Sequence, residues 1–232
     1  MLCVDETGSE SLADPRYPVF GFGGCAISGS RYVEALEGPW QELKRKHFGG
    51  DHVPLHAAEV PLANQDGIAA VARFFENSPI ARFATIITTQ TAVTGDDTDR
   101  HRAVSLCFAD LIGQVLQQFE YYRLVLAFEQ SDRGASQVRR DFTELQPILA
   151  GPEGPFRGPV ERCFVPKRLA FPGIEVADFI AQAAGAQGRA QMQVNFKLRA
   201  DFKVVFQPSS IYFAKVAYAD TIHVTRRRQS TG

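Results

Sequence analysis

Residues 2–8 read LCVDETG, a short apolar run that ends at two adjacent acidic side chains. The pattern recurs far along the chain, where the apolar run at residues 124–128 leads into Glu129. A third acidic cluster, Glu175 and Asp178, interrupts an otherwise apolar segment with helical character. Carboxylates that a fold brings together repel one another unless a cation binds between them. The three clusters therefore predict a metal-dependent phosphoryl-transfer site, provided that the fold makes them converge.

The order of apolar patterns along the chain indicates the fold class. Apolar and β-branched runs predict five strands, at residues 2–4, 19–27, 81–89, 124–128 and 160–165. Apolar side chains at helical spacing predict helices at residues 30–48, 63–77, 100–120, 135–149 and 174–187. The lone Trp40 is expected in the core, on the first of these helices. Strands that alternate with helices predict an α/β fold, with a mixed sheet covered by helices on both faces.

No internal repeat and no long linker divides the chain, so residues 1–232 are predicted to form one domain. Its core is expected over about residues 2–190, with residues 191–225 as a C-terminal extension packed on that core. The apolar side chains of this extension suit core packing or, alternatively, a homodimer interface. Residues 226–232 are expected to be a flexible tail, whose basic run 226–228 is either a solvated terminus or a phosphate-binding arm.

Composition narrows the function only weakly. With 45% hydrophobic residues, 22% charged residues and a formal net charge of -1, the chain neither requires nor excludes a nucleic-acid partner. Its four cysteines form no CxxC pair, which is typical of buried thiols in a reducing compartment. No apolar stretch approaches the roughly 20 residues that span a bilayer. We therefore expect a cytoplasmic protein that does not insert into a membrane.

The acidic side chains differ in how well they suit a metal site. Asp5 and Glu129 end apolar strands, and they would be neighbours if those strands pair in parallel; Asp178 on a helix could then close the site. Any one of the three, taken alone, could be a surface carboxylate or a helix cap. Glu6 and Glu175 are weaker candidates, because adjacent strand residues such as Asp5 and Glu6 alternate between faces. Oxygen ligands of this kind suit Mg²⁺, with Mn²⁺ as a substitute.

A histidine and several basic residues complete the candidate set. His56 and Glu59 have H-x-x-E spacing, which suits a proton-transfer pair near the carboxylates, a weak zinc site, or a histidine that merely anchors a loop. Lys167 and Arg168 precede the last acidic helix and could bind phosphate. Arg133, which follows the strand that ends at Glu129, is a third such candidate. The basic run at residues 44–47 is expected to be a solvated helix face.

Four segments, in this order, resemble a known family: VDETG at residues 4–8, LHAAEV at 55–60, a strand that ends in Glu129, and IEVADFIA at 174–181. Together they resemble the prokaryotic family called domain of unknown function 3800, which is placed in the ribonuclease H-like superfamily. The usual family pattern is a hydrophobic strand running into Asp-Glu-Ser-Gly, a later Leu-His, and Leu-Gln-x-Ala-Asp near the end. The match covers about residues 2–190.

The resemblance implies a five-stranded mixed sheet flanked by helices. It also implies that Asp5, Glu129 and Asp178 are metal-binding carboxylates and that His56 lies near them. This chain departs from the family pattern at two positions. Thr7 stands where the family commonly has Ser, which is conservative, and Glu175 stands where it commonly has Gln. The second departure adds a negative charge, which creates a fourth metal ligand or alters metal affinity or specificity.

These observations favour a metal-dependent nuclease or related phosphodiesterase, with nucleic acid as its partner and Mg²⁺ or Mn²⁺ as its cofactor. Asp5, Glu129, Asp178 and His56 are the predicted catalytic residues. The alternative is a non-catalytic ribonuclease H-like module that binds nucleic acid or a protein. A third hypothesis is a glycosidase-like hydrolase in which two carboxylates work without a metal. The sequence does not distinguish DNA, RNA, hybrid or smaller phosphodiester substrates.

Overall fold

A computed structural model describes residues 1–8, 19–88, 97–118, 123–130, 160–192, 200, 202–206 and 214–218. Within them, six strands form one mixed sheet. The strands are β1 (Leu2–Gly8), β2 (Val19–Ala26), β3 (Ala81–Thr88), β4 (Leu124–Gln130), β5 (Val160–Pro166) and β6 (Ala214–Tyr218). The first five confirm the predicted strands. The sixth belongs to the region for which the sequence predicted only an extension packed on the core.

The spatial order of the strands is β5-β4-β1-β2-β3-β6. β1, β2 and β3 form an antiparallel meander, whereas β4 pairs in parallel with both β1 and β5, and β6 pairs in parallel with β3. β1 therefore lies inside the sheet, between a sequence neighbour on one side and a strand more than a hundred residues away on the other. The first and fourth predicted strands thus pair in parallel, which is the condition under which Asp5 and Glu129 would be neighbours.

Helices cover both faces of this sheet, as the sequence predicted. The described helices are α1 (Gly38–His47), α2 (Gln65–Asn77), α3 (Asp97–Gln118) and α4 (Pro172–Gln191). A 3₁₀ turn and a π-helical turn (Val33–Glu37) precede α1. The Asn64 side chain caps α2 by accepting the Gly67 N–H at 2.9 Å. α4 begins with Pro172, which is favourable in a first turn that lacks backbone acceptors.

Alternate residues of β1 belong to two separate apolar layers. Cys3 lies in the layer shared with α1, α2 and α4, whereas Leu2 and Val4 lie in the layer shared with α3. We call these two sides of the sheet the α4 face and the α3 face. Phe202 and Val205, from the C-terminal extension, are also buried in the α4-face layer. These two residues therefore pack against α4-face side chains of the core.

Small residues bring α4 into direct contact with the sheet. A Cβ atom placed on Gly23 of β2 would lie 2.3 Å from the backbone N of Ala181 and 2.5 Å from its Cα. On the α4 side, Gly185 approaches Thr7 of β1 so closely that a Cβ there would lie 2.6 Å from the threonine hydroxyl. α4 therefore packs backbone against backbone on β2 at Gly23, and at Gly185 only the Thr7 side chain separates it from β1.

Two sequence-based expectations about polar and sulfur side chains need correction. Lys44 is fully buried (0% exposed) and is not part of a solvated helix face. Cys3, Cys25 and Cys107 are buried free thiols, as predicted, but Cys163 is exposed.

The predicted helix at 135–149 and the basic run at 226–228 lie outside the described residues. Trp40 is fully buried, which confirms its predicted place in the core.

Candidate functional site

The strand pairing brings two of the predicted acidic residues together. The described parallel ladder of β1 and β4 ends at Val4 opposite Phe128, so Asp5 and Glu129 occupy the next position on each strand. Cys3 and Ala127, two residues earlier on the respective strands, both lie on the α4 face. Because side chains alternate along a strand, Asp5 and Glu129 also point to the α4 face.

Asp178 reaches the same region from α4. Its Oδ2 accepts a hydrogen bond of 2.7 Å from the backbone N–H of Ala57, and its side chain is 18% exposed. The segment that donates this hydrogen bond connects α1 to α2. Three elements distant in sequence (β1, β4 and α4) therefore each contribute one carboxylate on the α4 face.

Asp178 and Glu129 are close enough to Asp5 to affect its protonation. The pKa of Asp5 is well above its ordinary value, first because of burial and second because of the negative charge of Asp178. The charge of Glu129 acts in the same direction. The Glu6 N–H opposes them by donating a hydrogen bond of 2.9 Å to Asp5 Oδ1. Asp5 is thus held among like charges, which is the electrostatic signature of a site that a cation would stabilise.

His56 lies beside Asp178. Its backbone is extended, with φ -111° and ψ 132°, and its Nδ1 is 3.6 Å from Asp178 Oδ2, an ion-pair distance longer than a hydrogen bond. Asp178 raises the pKa of His56, whereas burial and the positive charge of Lys167 lower it. His56 Nε2 is buried and has no hydrogen-bond partner among the described residues. The imidazole therefore has one nitrogen facing a carboxylate and the other unpaired.

A small open pocket adjoins these side chains. Its polar lining includes His56, Glu129, Asp178, Lys167 and Glu175, and its apolar wall includes Phe171. Lys167 comes from the 3₁₀ turn Lys167–Leu169 that connects β5 to α4. This turn ends at Ala170, which has a positive φ of 45° and is the one described non-glycine residue in that region of backbone space. The turn therefore places an ammonium group at the edge of a pocket bordered by carboxylates.

Glu175 belongs to a different set of contacts. It is only 5% exposed, and it accepts hydrogen bonds from Lys44 Nζ (2.8 and 2.9 Å), Trp40 Nε1 (2.8 Å) and the Leu55 N–H (2.8 Å). Both carboxylate oxygens are thus engaged, which does not fit the expectation that Glu175 is a metal ligand. Sequence reasoning missed Lys44, because a lysine within a basic run normally indicates a solvated surface.

The remaining predicted site residues lie outside this arrangement. Glu6 is exposed, and strand alternation places it on the α3 face, so it does not join Asp5 as a metal ligand. Glu59 is exposed in a 3₁₀ turn, Ala57–Glu59, and contributes only a minor influence on His56. Arg168 is exposed next to Lys167 but does not line the pocket. Arg133 lies outside the described residues.

The chemistry of the donor set suits a hard cation. Asp5, Glu129 and Asp178 offer only oxygen atoms, the ligands that Mg²⁺ and Mn²⁺ prefer. A cation would also offset the repulsion that raises the pKa of Asp5. Among the described residues, no group of three or more His, Cys, Asp or Glu side chains is already arranged at metal-binding geometry.

Comparison with known proteins leaves the family open. No protein-family model matches the chain, and a search of curated proteins finds no match. The resemblance to domain of unknown function 3800 stays a prediction.

None of the helices in the described part of the chain is long and apolar enough to cross a membrane.

Proposed function

We propose that this protein is a metal-dependent phosphodiesterase that cleaves nucleic acid, with Mg²⁺ or Mn²⁺ held by Asp5, Glu129 and Asp178. The observation that carries the proposal is geometric: β1, β4 and α4 each contribute one carboxylate on the α4 face, and Glu129 and Asp178 also line the pocket. Perturbed carboxylates beside a pocket are typical of functional sites. The resemblance to a ribonuclease H-like family supports the same assignment.

Asp178 can hold the His56 segment and bind a metal at the same time, because its described contacts all involve one carboxylate oxygen. Oδ2 accepts the Ala57 N–H and faces His56 Nδ1. This fixes the orientation of the carboxylate and directs Oδ1 away from the His56 segment. Asp5 is oriented in a similar way, because its Oδ1 accepts the Glu6 N–H. Both acids therefore have one oxygen that is held by the protein and one that is available to a ligand.

Asp5, Glu129 and Asp178 would hold the divalent cation, which would supply activation of water and stabilisation of the leaving oxygen of a phosphodiester. The chain itself supplies proton transfer and substrate binding. His56 lines the pocket and can exchange a proton there, while Asp178 stabilises the charged imidazole. The Lys167 ammonium at the pocket edge can bind a phosphate oxygen. Because the formal net charge is only -1, local contacts of this kind would dominate substrate binding.

The proposal is tested by cleavage of labelled single-stranded, duplex and hybrid nucleic acids with Mg²⁺, Mn²⁺ or EDTA. We expect metal-dependent cleavage by the wild type, its loss in Asp5→Asn, and its retention in Glu6→Gln. The second variant removes the same charge from the adjacent residue on the opposite face of the sheet. Cleavage by Asp5→Asn at the wild-type rate would refute the mechanism. Absence of both cleavage and Mn²⁺ binding would leave a non-catalytic binding module.

A further inference from the structure

Two carboxylates on α4 hold one extended segment of the chain. Glu175 accepts the N–H of Leu55 at 2.8 Å, and Asp178 accepts the N–H of Ala57 at 2.7 Å. Alternate N–H groups of an extended segment point to the same side, and residues three apart on a helix lie on the same face. The spacing of the two N–H groups matches that of the two carboxylates, so α4 accepts a hydrogen bond from the segment on each side of His56.

The first of these two contacts depends on a buried charge. Glu175 is 5% exposed and Lys44 is 0% exposed, and the lysine ammonium donates to both carboxylate oxygens. Aromatic rings enclose the pair, since Trp40, which donates to Glu175, packs edge-on against Phe74 and Phe179 with centroids 4.8 and 5.3 Å apart. Burial raises the pKa of Glu175, and Lys44, the Leu55 N–H and Trp40 oppose this rise.

A buried ion pair of this kind is not required for stability. Apolar residues of similar volume commonly replace such pairs without loss, whereas removal of one partner alone leaves an uncompensated charge. Lys44 and Trp40 stabilise the ionised carboxylate, but only the Leu55 N–H connects it to the segment that carries His56. The contact that distinguishes Glu175 from an apolar residue of the core is thus the hydrogen bond to Leu55.

We propose that Glu175, kept ionised by Lys44, is a positioning residue: through the Leu55 N–H it fixes the His56 segment against α4 and so sets His56 beside Asp178. The effect on catalysis rests on the proposed function, whereas the effect on the segment does not. Glu175 is not a catalytic residue, because its two oxygens are engaged inside the core. Its action reaches the site through the backbone of residues 55–57.

Two double variants separate the effect of the hydrogen-bond acceptor at position 175 from the effect of the buried charges of Glu175 and Lys44. Glu175→Gln with Lys44→Met removes both charges but keeps a side-chain oxygen for the Leu55 N–H. Glu175→Leu with Lys44→Met also removes both charges but leaves no acceptor. Both replacements avoid an unpaired buried ion, so we expect both proteins to fold with similar melting temperatures. By contrast, Lys44→Met alone should lower the melting temperature by about 10 °C.

Amide hydrogen exchange, measured by NMR, reports how well the N–H groups of residues 55–57 are protected. It needs no assumption about catalytic activity. In the wild type we expect slow exchange at Leu55 and Ala57. The Gln/Met double variant should keep this protection. In the Leu/Met double variant, the amides of Leu55 and Ala57 should exchange at least tenfold faster. Equal protection in both double variants, or fast exchange at Leu55 in the wild type, would overturn the proposal. The wild-type measurement stands even if a variant does not fold.

Steady-state kinetics then tests the consequence for catalysis. The Leu/Met double variant should show a kcat about 10- to 100-fold below that of the Gln/Met double variant, with little change in KM, because a displaced His56 affects the reaction more than substrate binding. A folded Leu/Met double variant with the exchange change but an unaltered kcat would overturn the catalytic part. A wild type without cleavage activity would refute the proposed function and leave the exchange result to decide the positioning of the segment.

Discussion

Asp5 and Glu129 are neighbours across the parallel pair β1 and β4, each one position beyond the last paired residues of the described ladder. Strands β2 and β3 and helices α1, α2 and α3 lie between them in sequence. Both side chains nevertheless point toward α4. With Asp178 above them, they form a group of like charges that raises the pKa of Asp5. A buried carboxylate perturbed in this way marks a candidate functional site.

Replacing Asp5 by Asn should stabilise the metal-free protein. The folded-state pKa of Asp5 is raised above its unfolded value, so its protonation favours folding at low pH. This contribution is lost as the pH rises from about 4 through the folded-state pKa, so the raised pKa costs folding free energy at neutral pH. We expect Asp5→Asn to raise the melting temperature at pH 7 by about 3–6 °C in EDTA.

Thermal unfolding between pH 4 and pH 8 measures this effect, and the wild-type melting temperature should fall more steeply with pH than that of the variant. Glu6→Gln is the matched control, since Glu6 contributes least to the Asp5 shift and lies on the other face. Equal stabilisation by both variants would mean that net charge, and not the cluster, is responsible.

Divalent cations should reverse the order of stability. A ligand that binds only the folded state adds about 2.7 kcal/mol at a concentration 100 times its Kd. Saturating Mn²⁺ should therefore raise the melting temperature of the wild type by several degrees and leave Asp5→Asn almost unchanged. Differential scanning fluorimetry in Mn²⁺ and in EDTA tests this, with Ca²⁺ as a comparison ion. The same shift in both proteins would place the Mn²⁺ elsewhere.

Substitution of Gly23 by Ala should displace α4. The added methyl would lie 2.3 Å from the backbone N of Ala181, and backbone atoms cannot move aside as a side chain does. We expect Gly23→Ala to cost about 3 kcal/mol of folding free energy or more. Gly29→Ala is the control, because nothing lies within 4 Å of its Cβ position. Chemical denaturation of both variants measures the difference, and similar stabilities would contradict the described α4–β2 contact.

Lys167 should contribute to substrate binding more than its neighbour Arg168. Only Lys167 lines the pocket, although both side chains are exposed and carry the same charge. We expect Lys167→Ala to raise the KM for nucleic acid about tenfold and to change kcat little, and Arg168→Ala to have a smaller effect. Raising the salt concentration should reduce the difference between the variants. Equal effects of the two substitutions would indicate a diffuse electrostatic contribution from the turn.

The pKa of His56 should report its contact with Asp178. Asp178 is the largest cause of the upward shift, whereas Glu59 is the smallest. Asp178→Asn, which keeps an oxygen for the Ala57 N–H, should therefore lower the pKa of His56. Glu59→Gln should change it much less. NMR titration of the imidazole protons in EDTA gives both values, and a larger change in Glu59→Gln would contradict the described position of His56.

Local pattern was sufficient to predict the five strands, the covering of both faces and the placement of Trp40. Asp5 and Glu129 could be assigned to one edge because strand pairing has few alternatives and side chains alternate strictly. Glu6 could be separated from Asp5 by the same rule. These inferences use only neighbouring residues and the regular geometry of strands.

The partner of a buried charge could not be predicted in this way. Lys44 lies in a basic run on an amphipathic helix, and Glu175 lies 131 residues later, so neither segment contains a signal for the other. The contact of Asp178 with Ala57 is equally remote, at a separation of 121 residues. Pairings of this kind depend on the packing of α1 and α4, which is a property of the whole fold.

The position of β1 between β2 and β4 has a consequence for the way the protein reaches its native state. β1 can pair with β2 as soon as the first quarter of the chain exists, but its pairing with β4 must wait for residues 124–130. α4, which carries Asp178, lies later still in the chain. The acidic cluster therefore depends on contacts between residues that are far apart in sequence, which is typical of slow-folding topologies. No N-terminal fragment that lacks α4 can contain it.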